Sequence, residues 1–577
     1  MHEAECAVST CLKQMPIGKA AAQGVTMRKI DCIIIGHNPG NFQEFIAGRK
    51  SMAKFNGAYF DAQINSVLLD GQRISYIDLF NKLRKQINPE AGALSPFDPL
   101  GLASLHLASF LSKQGVGTLV VGEFQKGKKK LEELLRYEPL AVAITTTFYF
   151  EPTPMKEIVS FIRQRSPGTM IIIGGPYPSH LDRGDLSDSL EMILKEIGAD
   201  IYVIDSQGEL TLSRVINELK RSSSLESLET IPNLLVFAGN RSFRTNRERE
   251  DNSINDNRVD WKIFDASALR PFSMIRTALS CPFACSFCSY PVRAGEHRLA
   301  DVNRVEEDLR EMSDIGIKFV YFIDDTFNVP LPRFKELCRM MIRNRFQFRW
   351  LSYLRCGNMD IEAVKLAAES GCVGALLGIE SGDQQVLQVM NKFASPAKYR
   401  QAIRWLEDAG IMLWALFFVG FPGESEATIG NTISLLNDTS PTFFATQIWF
   451  YDHTTPIHRR AGEFNLQGAG YTWKHNTITW KGACEGAERM LREVNGPIYV
   501  PQTGFSFETI FYLMGLGYSL KFVKSFLEIS RDLVIGGLGD AAVDSKKFMS
   551  RLQTICKLEN QAKLPINPVN VEQVTLA

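Results

Sequence analysis

Three cysteines lie within eight residues of one another, in the segment Cys281-Pro-Phe-Ala-Cys285-Ser-Phe-Cys288. Three thiolates can hold three irons of a four-iron cluster and leave the fourth iron without a protein ligand. A substrate can then coordinate that open iron, as it does at a catalytic zinc that keeps one position free. Zinc sites usually draw four ligands from two short clusters, and no second cluster accompanies this one. The spacing therefore favours an iron–sulfur centre over zinc and over three incidental core cysteines.

The other eight cysteines belong to no motif. Cys32, Cys338, Cys356 and Cys372 lie in apolar or helical segments, so we expect them in the core. The total of 11 is odd, and the first 25 residues contain no continuous apolar stretch of the kind that directs secretion. These features predict reduced thiols and a cytoplasmic protein rather than a disulfide framework.

Charge and hydropathy argue against two classes of partner. Lysine plus arginine equals aspartate plus glutamate, at 64 each, so the basic excess typical of a duplex-binding protein is missing. The longest apolar run, residues 411–421, is far shorter than the ~20 residues that span a bilayer. We therefore expect neither a nucleic acid nor a membrane as partner.

The elements that must position the cysteines alternate between strands and helices. In the first part of the chain, continuous apolar runs bounded by Gly, Pro or Asp predict strands that are buried on both faces. Helical stretches between them predict an α/β fold with a parallel, doubly wound (Rossmann-like) sheet over residues 28–220. Such sheets bind ligands beyond the carboxyl ends of their strands. The strand candidates are residues 31–36, 118–122, 140–145, 170–174 and 201–205.

A second alternating region follows residues 221–262, which are polar and irregular and which we interpret as a linker. Six strand–helix units predict a partial (β/α)6 barrel over residues 263–455. Parallel barrels carry their chemistry at the carboxyl ends of the strands, and the cysteine segment directly follows the first strand. Residues 456–577 are expected to form a mostly helical C-terminal domain, and residues 1–27 a loose leader. The strand candidates are residues 274–279, 318–322, 348–353, 374–379, 412–419 and 445–451.

The cysteine segment, with Phe287 before its last cysteine, resembles the radical S-adenosylmethionine (SAM) superfamily. The resemblance implies that the open iron chelates the amino and carboxylate groups of SAM. One electron, from a donor such as flavodoxin or ferredoxin, would then cleave a carbon–sulfur bond of SAM and yield a 5′-deoxyadenosyl radical. Further matching segments follow in the expected order at the ends of the second to fifth strands: Phe322–Asn328, Tyr353–Asn358, Gly378–Ser381 and Val419–Glu424.

The resemblance also assigns individual residues to SAM. Glu380 and Ser381 would lie near the methionine and the ribose, and Arg355 would contact the carboxylate. The backbone of the turn from Gly420 to Gly423 would approach the adenine. The plain alternatives are a surface carboxylate at Glu380 and an ordinary tight turn at the two glycines. The expected SAM-binding set is Phe287, Arg355, Glu380, Ser381, Gly420, Pro422 and Gly423.

A doubly wound sheet placed before a radical barrel resembles the cobalamin-binding subclass of this superfamily. Glycine at a strand end leaves room for a large flat cofactor. The resemblance implies that cobalamin, as methylcobalamin during turnover, lies on the loops that follow the strands. The alternative is a flavodoxin-like domain that binds nothing. The residues expected to line the corrin are Gly36, Asn38, Thr145, Thr146, Gly174, Gly175, Gly208 and Glu209.

Two departures from that subclass concern the cobalamin loops. The last loop, Asp205-Ser-Gln-Gly-Glu209, keeps only the final pair of the usual Gly-Glu-Gly-Glu. The chain also has no D-x-H-x-x-G sequence, so a lower axial histidine is not indicated, although His37 on the first loop could serve as a ligand.

Weaker sequence resemblances concern the type of reaction. The segments Asp31–Asn38 and Asn56–Tyr59 resemble the phosphinate P-methyltransferase branch, and Gly468–Trp480 is similar to segments of enzymes that methylate peptides and other natural products. The resemblance implies a cobalamin-dependent radical SAM methyltransferase acting on an unactivated carbon, or a phosphinate phosphorus, of a small molecule or peptide. The alternative is a cobalamin-binding radical enzyme that catalyses a non-methylating rearrangement or cyclisation.

Two further groups lie near the expected site. Asp324 and Asp325 point in opposite directions at the end of a strand, so at most one of them should face the site. Trp449, Tyr451 and His453 follow or end the sixth strand. They either face the substrate or belong to the core and to satisfied polar contacts.

Overall fold

The computed structural model describes residues 30–184, 187–205, 207–222, 224–541, 543–560 and 574–576. The leader expected at residues 1–27 lies outside these ranges. Within them, no helix combines the length and the apolar character needed to cross a bilayer.

The first sheet has the doubly wound arrangement predicted from the sequence. Its parallel strands lie in the order β4-β1-β5-β6-β7. Ile34 packs into the core on one face of β1, while Ile33 and Ile35 pack into the core on the other. The order reverses between β1 and β5, so the loops that follow these two strands form a crevice at the switch point. The strands are β1 Cys32–His37, β2 Val67–Leu69, β3 Gln72–Ile74, β4 Thr118–Glu123, β5 Ala141–Thr145, β6 Met170–Gly174, β7 Ile201–Val203, β8 Leu234–Ala238 and β9 Arg241–Arg244.

Helices cover both faces of this sheet, close to the positions that the sequence predicts. An additional helical region between β1 and β4 carries the short hairpin of β2 and β3. The helices are α1 Phe42–Ser51, α2 Ala58–Ile64, α3 Tyr76–Ile87, α4 Leu102–Lys113, α5 Phe124–Leu135, α6 Thr153–Arg165, α7 Pro176–Leu181, α8 Leu190–Ile197 and α9 Glu209–Arg221.

The segment interpreted as a linker contributes to the sheet. Strand β8 pairs antiparallel with β7, and β9 pairs antiparallel with β8. Leu234, Leu235 and Val236 are buried, so this short apolar run completes the edge of the sheet. Its polar flanks made the surrounding sequence resemble a connection without regular structure.

The second sheet is the predicted partial barrel. Its parallel strands lie in the order β10-β13-β14-β15-β16-β17-β20, so a short strand from the C-terminal region is added beside the six predicted strands. The strands are β10 Phe272–Ile275, β11 Ala278–Leu279, β12 Arg298–Leu299, β13 Phe319–Phe322, β14 Arg349–Tyr353, β15 Cys372–Glu380, β16 Met412–Val419 and β17 Phe443–Ile448. The helices are α10 Ala266–Leu269, α11 Tyr290–Ala294, α12 Val302–Ile315, α13 Leu331–Asn344, α14 Ile361–Glu369, α15 Gln384–Val389, α16 Pro396–Asp408 and α17 Glu426–Thr439.

The first predicted barrel strand is divided in two. The Asp324 carboxylate accepts hydrogen bonds from the backbone N–H groups of Thr277 and Ala278, at 2.7 and 2.9 Å. These donors are therefore not available to the barrel sheet. Strand β10 ends at Ile275, and β11 pairs instead with β12 in a separate antiparallel pair.

The C-terminal region is mostly helical, as predicted, and packs on the helical region between β1 and β4. The Asp540 carboxylate accepts a hydrogen bond from the Tyr59 hydroxyl and forms an ion pair with Arg73. The elements are β18 Gln467–Ala469, β19 Thr472–Lys474, α18 Trp480–Glu493, β20 Ile498–Tyr499, α19 Phe507–Gly515, α20 Leu520–Gly536, α21 Ser545–Asn560 and β21 Val574–Leu576, which pairs antiparallel with β4.

Helix α19 closes the base of the barrel. The Phe507 ring stacks on Trp414 of β16 with centroids 5.7 Å apart, and the Phe511 ring lies 5.8 Å from that of Phe319 on β13. A Cβ atom at Gly374 of β15 would lie 2.5 Å from Cζ of Phe511. Because this glycine has no side chain, helix α19 can pack directly against the strands.

Gly374→Ala should lower the free energy of unfolding by roughly 1–3 kcal/mol, because the added methyl overpacks the base of the barrel. The measurement is the midpoint of urea unfolding followed by circular dichroism. Gly430→Ala in α17 is the matched control, since its Cβ would meet no atom within 4 Å. It should leave stability unchanged or raise it by about 0.5–1 kcal/mol. Equal losses in both variants would contradict the packing argument.

Candidate active site

The three cysteines of the motif follow β11 on one loop. Cys285 is buried, Cys281 and Cys288 are half-buried, and all three are free thiols. Burial raises the pKa of Cys288 to about 11, and the neighbouring Cys285, Asp325 and Cys281 add to the increase. Burial likewise raises the pKa of Cys281. The thiols are therefore close enough to repel one another as thiolates, and a bound cation is what would stabilise that form.

The donor set consists of three thiols on one loop. In the described part of the chain, no three His, Cys, Asp or Glu side chains converge on one metal position. A zinc ion would need its sulfur ligands at about 2.3 Å from a single point. An iron–sulfur cluster instead places each thiolate on a different iron, and three cysteine side chains are ligands of the type that it uses.

Backbone hydrogen bonds hold the cysteine loop from two sides. The N–H of Ser286 donates to the carbonyl of Met390 at 2.8 Å, and the Asn391 amide donates to the carbonyl of Ala284 at 2.8 Å. From the other side, the N–H of Ile457 donates to the carbonyl of Ser286 at 2.8 Å. The loop is consequently fixed to the segment after β15 and to the segment after β17, which brings the cysteines over the barrel.

Arg355 lies against the cysteine loop. Its guanidinium carbon is 3.6 Å from the centre of the Phe283 ring, and its Nη1 is 3.9 Å from Sγ of Cys285. The side chain also donates to the carbonyl of Lys392, while its backbone N–H donates to the Asn328 amide oxygen. The predicted contact of Arg355 with a carboxylate stays a prediction, since this guanidinium already has partners in the loop.

Glu380 is paired with a lysine that the sequence argument missed. Its Oε1 lies 2.9 Å from Nζ of Lys392, whose side chain is only 9% exposed. The Lys392 ammonium is also 5.3 Å from the centre of the Phe287 ring, beside the cysteines. Glu380 is therefore an interior carboxylate, not a surface one. The sequence pattern did not indicate Lys392, because the chain returns to the end of β15 only after helix α15.

The remaining residues that were predicted to bind SAM lie in the turns after β15 and β16. The Ser381 hydroxyl is buried and accepts the N–H of Asp383 at 3.2 Å. Gly420 has a φ of 108°, and a Cβ there would lie 2.2 Å from the Trp473 ring. Pro422 is buried in the same turn, and Gly423 has a φ of 92°. The space beside Gly420 is thus filled by a ring from the C-terminal region.

The two aspartates that follow β13 have different surroundings. Asp324 is buried and also accepts the Thr277 hydroxyl at 2.5 Å. Asp325 is exposed, and its charge helps to raise the pKa of Cys281 and Cys288. Asp325 is therefore the carboxylate of the pair whose charge acts on the cysteine loop.

In the first domain, hydrogen bonds join the predicted corrin residues to one another and to neighbouring segments. The Asn38 amide donates to the carbonyl of Pro154, the Thr145 hydroxyl to the carbonyl of Gly36, and the Thr146 hydroxyl to the carbonyl of Gly174. The Glu209 carboxylate accepts from two asparagine amides of the segment after β9. These bonds lock the crevice loops into one arrangement.

The glycines at the strand ends have local packing reasons. A Cβ at Gly36 would lie 2.6 Å from the carbonyl oxygen of Gly122 on the neighbouring strand. Gly175 and Gly208 have φ values of 103° and 88°, a region that other residues rarely adopt. Room for a flat cofactor is therefore not the only reason for these glycines.

Several aromatic side chains lie at the crevice. Phe148 and Phe150, on the loop after β5, are 48% and 92% exposed. The His37 ring lies 3.9 Å from Phe97 and 5.7 Å from Phe148, and its buried Nδ1 has no hydrogen-bond partner. Burial lowers the pKa of His37 to about 4, so this ring is neutral near pH 7. The loop after β5 thus brings two exposed rings to the crevice beside a neutral histidine.

The residues at the end of the sixth strand belong to the core rather than to the site. Trp449 and Tyr451 are buried, with their ring centroids 5.1 Å apart. Nε2 of His453 lies 2.7 Å from the carbonyl oxygen of Gly468, and its ring stacks on His458. The bonds and ring contacts of these residues support the packing alternative.

Comparison with known proteins agrees with this geometry. Residues 275–436 match the family model described as the radical SAM superfamily. The chain contains a radical SAM domain. The matched residues include the cysteine loop and most of the barrel. The resemblance of the cysteine segment and its barrel to this superfamily is thereby confirmed.

Two curated relatives share about a quarter of their aligned residues with this chain. An uncharacterized methyltransferase of Pyrococcus horikoshii is 24% identical over 348 residues, which are 58% of this chain and 72% of that protein. The anaerobic magnesium-protoporphyrin IX monomethyl ester cyclase of Cereibacter sphaeroides is 25% identical over 329 residues, or 55% of this chain and 52% of that protein. The aligned segment thus spans only about half of the cyclase.

A solved structure confirms the fold over nearly the whole chain. The radical SAM methyltransferase TsrM from Kitasatospora setae, with cobalamin and a [4Fe-4S] cluster bound, has a TM-score of 0.54 at 16% identity. The match covers 93% of this chain and 100% of TsrM. The predicted fold class is therefore correct: a doubly wound domain, a partial barrel and a helical C-terminal region.

The turn after β16 gives a pH-dependent prediction. The buried Glu424 carboxyl accepts the N–H of Gly420, yet burial raises its pKa from 4.5 to about 8. The native state then holds a proton that the unfolded chain releases, so this group's contribution to stability is complete below pH 4.5 and falls as the pH rises to 8. Glu424→Gln, which is always neutral, should gain at least about 1 kcal/mol over wild type between pH 5 and pH 8.5.

The measurement is urea unfolding of both proteins at the two pH values. Glu426→Gln is the control, because the Glu426 side chain is 90% exposed. It should show no such change. A pH-independent difference between Glu424→Gln and wild type would contradict the raised pKa.

Proposed function

We propose that this protein is a cobalamin-dependent radical SAM methyltransferase acting on a small molecule or peptide, at an unactivated carbon or a phosphinate phosphorus. The observation that carries the proposal is the position of three free thiols on one loop over the barrel, in a chain that also has a doubly wound domain with an exposed aromatic crevice. A radical SAM domain accounts for the thiols, and a cofactor in the crevice accounts for the exposed rings.

The names of similar proteins support this reading. TsrM is described with cobalamin and a [4Fe-4S] cluster, and also with a tryptophan substrate and a SAM analogue. The Pyrococcus relative is named as a methyltransferase. We accordingly propose a 4Fe–4S cluster, SAM and cobalamin as cofactors, and a flavodoxin or ferredoxin as electron donor.

Each residue near the cysteine loop would have its own role in binding the cofactors. Cys281, Cys285 and Cys288 would hold the cluster, which supplies the electron that cleaves SAM. Arg355, beside Cys285, would stabilise the thiolate with its positive charge. Glu380 would accept hydrogen bonds from the amino group or ribose of SAM, and Lys392 would bind the methionine carboxylate.

The first domain would hold the second cofactor. Phe148 and Phe150 would cover an apolar edge of the corrin. The hydrogen bonds of the Thr145 and Thr146 hydroxyls would hold the loops of the crevice in position. Both domains would exclude water from the space between the cofactors, which protects a radical from side reactions. The chemistry itself belongs to the cofactors.

A second function is favoured by one relative. The protein from Cereibacter sphaeroides is named as a cyclase, at an identity similar to that of the methyltransferase. A cyclisation or rearrangement would use the same cysteines and the same crevice. The two reactions differ in whether the methyl group of SAM is transferred to the product.

The test uses protein reconstituted with iron, sulfide and cobalamin, and SAM labelled with ¹³C in its methyl group. We expect 5′-deoxyadenosine from wild type and none from Cys285→Ala, because the cluster loses one of its three ligands. The matched control is Cys484→Ala, a half-buried cysteine outside the loop, which should cleave SAM normally. Mass spectrometry of products follows the label.

Each outcome has a definite meaning. Label in a product, dependent on cobalamin, supports the methyltransferase. Cleavage of SAM with unlabelled product supports the cyclase alternative. Cleavage by Cys285→Ala at the wild-type rate would contradict the assignment of the cluster.

Lys392→Met should weaken SAM binding about tenfold, because the methionine carboxylate would lose its charged partner. Equilibrium dialysis of radiolabelled SAM measures the change in Kd. Lys398→Met is the control, since Lys398 is exposed on α16 and should keep the wild-type Kd. An unchanged Kd for Lys392→Met would contradict the proposed contact between Lys392 and the methionine carboxylate.

A further inference from the structure

The cysteine loop borders a groove on the protein surface. Pro282 and Ala284 of the loop are exposed. The Asn391 amide donates to the carbonyl of Ala284 at 2.8 Å, in a hydrogen bond that lies at the surface. Asn391 also lines a cavity of about 280 Å³ between helix α15 and residues 391–398, which we call the α15 groove. One hydrogen bond and one peptide bond therefore connect the groove to Cys285.

The walls of the α15 groove combine amide groups with an aromatic ring. Gln384 and Gln388, one turn apart on α15, line the groove and are exposed. Phe393 on the other wall is 71% exposed. Protein–protein interfaces have a polar rim and a centre that is enriched in aromatic residues. The groove thus has both the size and the side chains to receive part of another protein.

The charge of the α15 groove is positive. The described residues that line it include two lysines and no carboxylate. Lys392 is already paired with Glu380. Lys398 is exposed, and its ammonium forms no ion pair with a described residue. Asp383, which precedes the groove in the chain, accepts hydrogen bonds from the first turn of α15 and from the Asn431 amide.

Positive side chains continue onto the short helix Pro456–Phe464, which is bonded to the cysteine loop through the N–H of Ile457. Arg460 of this helix donates to the carbonyl of Val389 at 3.4 Å, at the end of α15, and is paired with Glu463 at 2.8 Å. The adjacent Arg459 is exposed and has no ion pair with a described residue. Unpaired cations therefore stand on two segments that border the cysteine loop.

We propose that the α15 groove, with Phe393 and Lys398 on its walls, is the docking site of an acidic one-electron carrier protein. Positive and negative surfaces that match steer two proteins together and fix their orientation. Electron transfer slows steeply with distance, so a carrier must come close to the residues that hold the cluster. The docked carrier loses one electron and the cluster gains it, so no bond breaks and no proton moves. The docking site rests on the proposed function, which supplies the cluster and its need for a donor.

The first test measures binding of a carrier to the full-length protein reconstituted with its cluster. The probe is an acidic [2Fe–2S] ferredoxin, titrated in a calorimeter to give Kd. Lys398→Glu should raise Kd roughly tenfold, because an attraction becomes a repulsion. The variant should fold, since Ser395 caps α16 and glutamate is favoured three residues after such a cap. Added salt should weaken binding by wild type, because exposed charges are screened.

Two further variants locate the docked carrier. Phe393→Ser removes the exposed ring without changing the charge and should raise Kd roughly fivefold. Lys129→Glu is the matched control, because Lys129 is an exposed lysine on α5 of the first domain. It makes the same change in net charge and should leave Kd within about twofold of wild type.

The second test compares two sources of electrons for SAM cleavage. With reduced ferredoxin below its Kd, Lys398→Glu should form 5′-deoxyadenosine roughly tenfold more slowly than wild type, because less carrier is docked. With dithionite, a small reductant that needs no docking site, the rates of the two proteins should agree within about twofold.

The outcomes separate the docking site from the proposed function. No binding by wild type, wild-type Kd in both Lys398→Glu and Phe393→Ser, or an equal loss in Lys129→Glu would overturn the docking site. Slower cleavage by Lys398→Glu with dithionite would also overturn it, because the lysine would then act on SAM cleavage itself. Neither test requires methyl transfer. Protein that transfers methyl groups with dithionite but fails the binding test loses only the docking site, and the reverse result overturns only the methyltransferase.

Discussion

The position of the cysteine loop depends on one buried carboxylate. Asp324 accepts hydrogen bonds from the N–H groups of Thr277 and Ala278 and from the Thr277 hydroxyl. Buried polar groups must be paired, so this carboxylate and these donors hold each other in place. The bonds end strand β10 and turn the chain toward Cys281. Arg333 of α13 reinforces the turn by donating to the carbonyl of Thr277.

The site above the barrel is then built by segments that are distant in sequence. Residues after β15 and after β17 bond to the backbone between the cysteines. Trp473, from the C-terminal region, packs on Gly420 at the end of β16. Helix α19 closes the opposite end of the barrel through Phe507 and Phe511. The C-terminal region thus contributes to both ends of the barrel.

Charge beside the cysteines is paired within the protein. Near the cysteine loop, the Glu380 carboxylate forms an ion pair with Lys392 at 2.9 Å. The backbone carbonyl of Lys392 accepts a hydrogen bond from Arg355, whose guanidinium lies against Cys285. Because unpaired interior charge is unfavourable, these contacts help to fix the side chains around the loop.

The sequence by itself determined the order of strands and helices and the cysteine loop, because buried parallel strands and thiolate spacing leave strong local patterns. It also predicted that at most one of Asp324 and Asp325 faces the site, but the alternation of strand side chains does not apply to them, because β13 ends at Phe322. Only the tertiary structure decided the partner of Glu380, the ring against Gly420 and the placement of residues 234–244 in the sheet. Each of these depends on segments far apart in the chain, and no local pattern encodes which distant side chain will fill a given space.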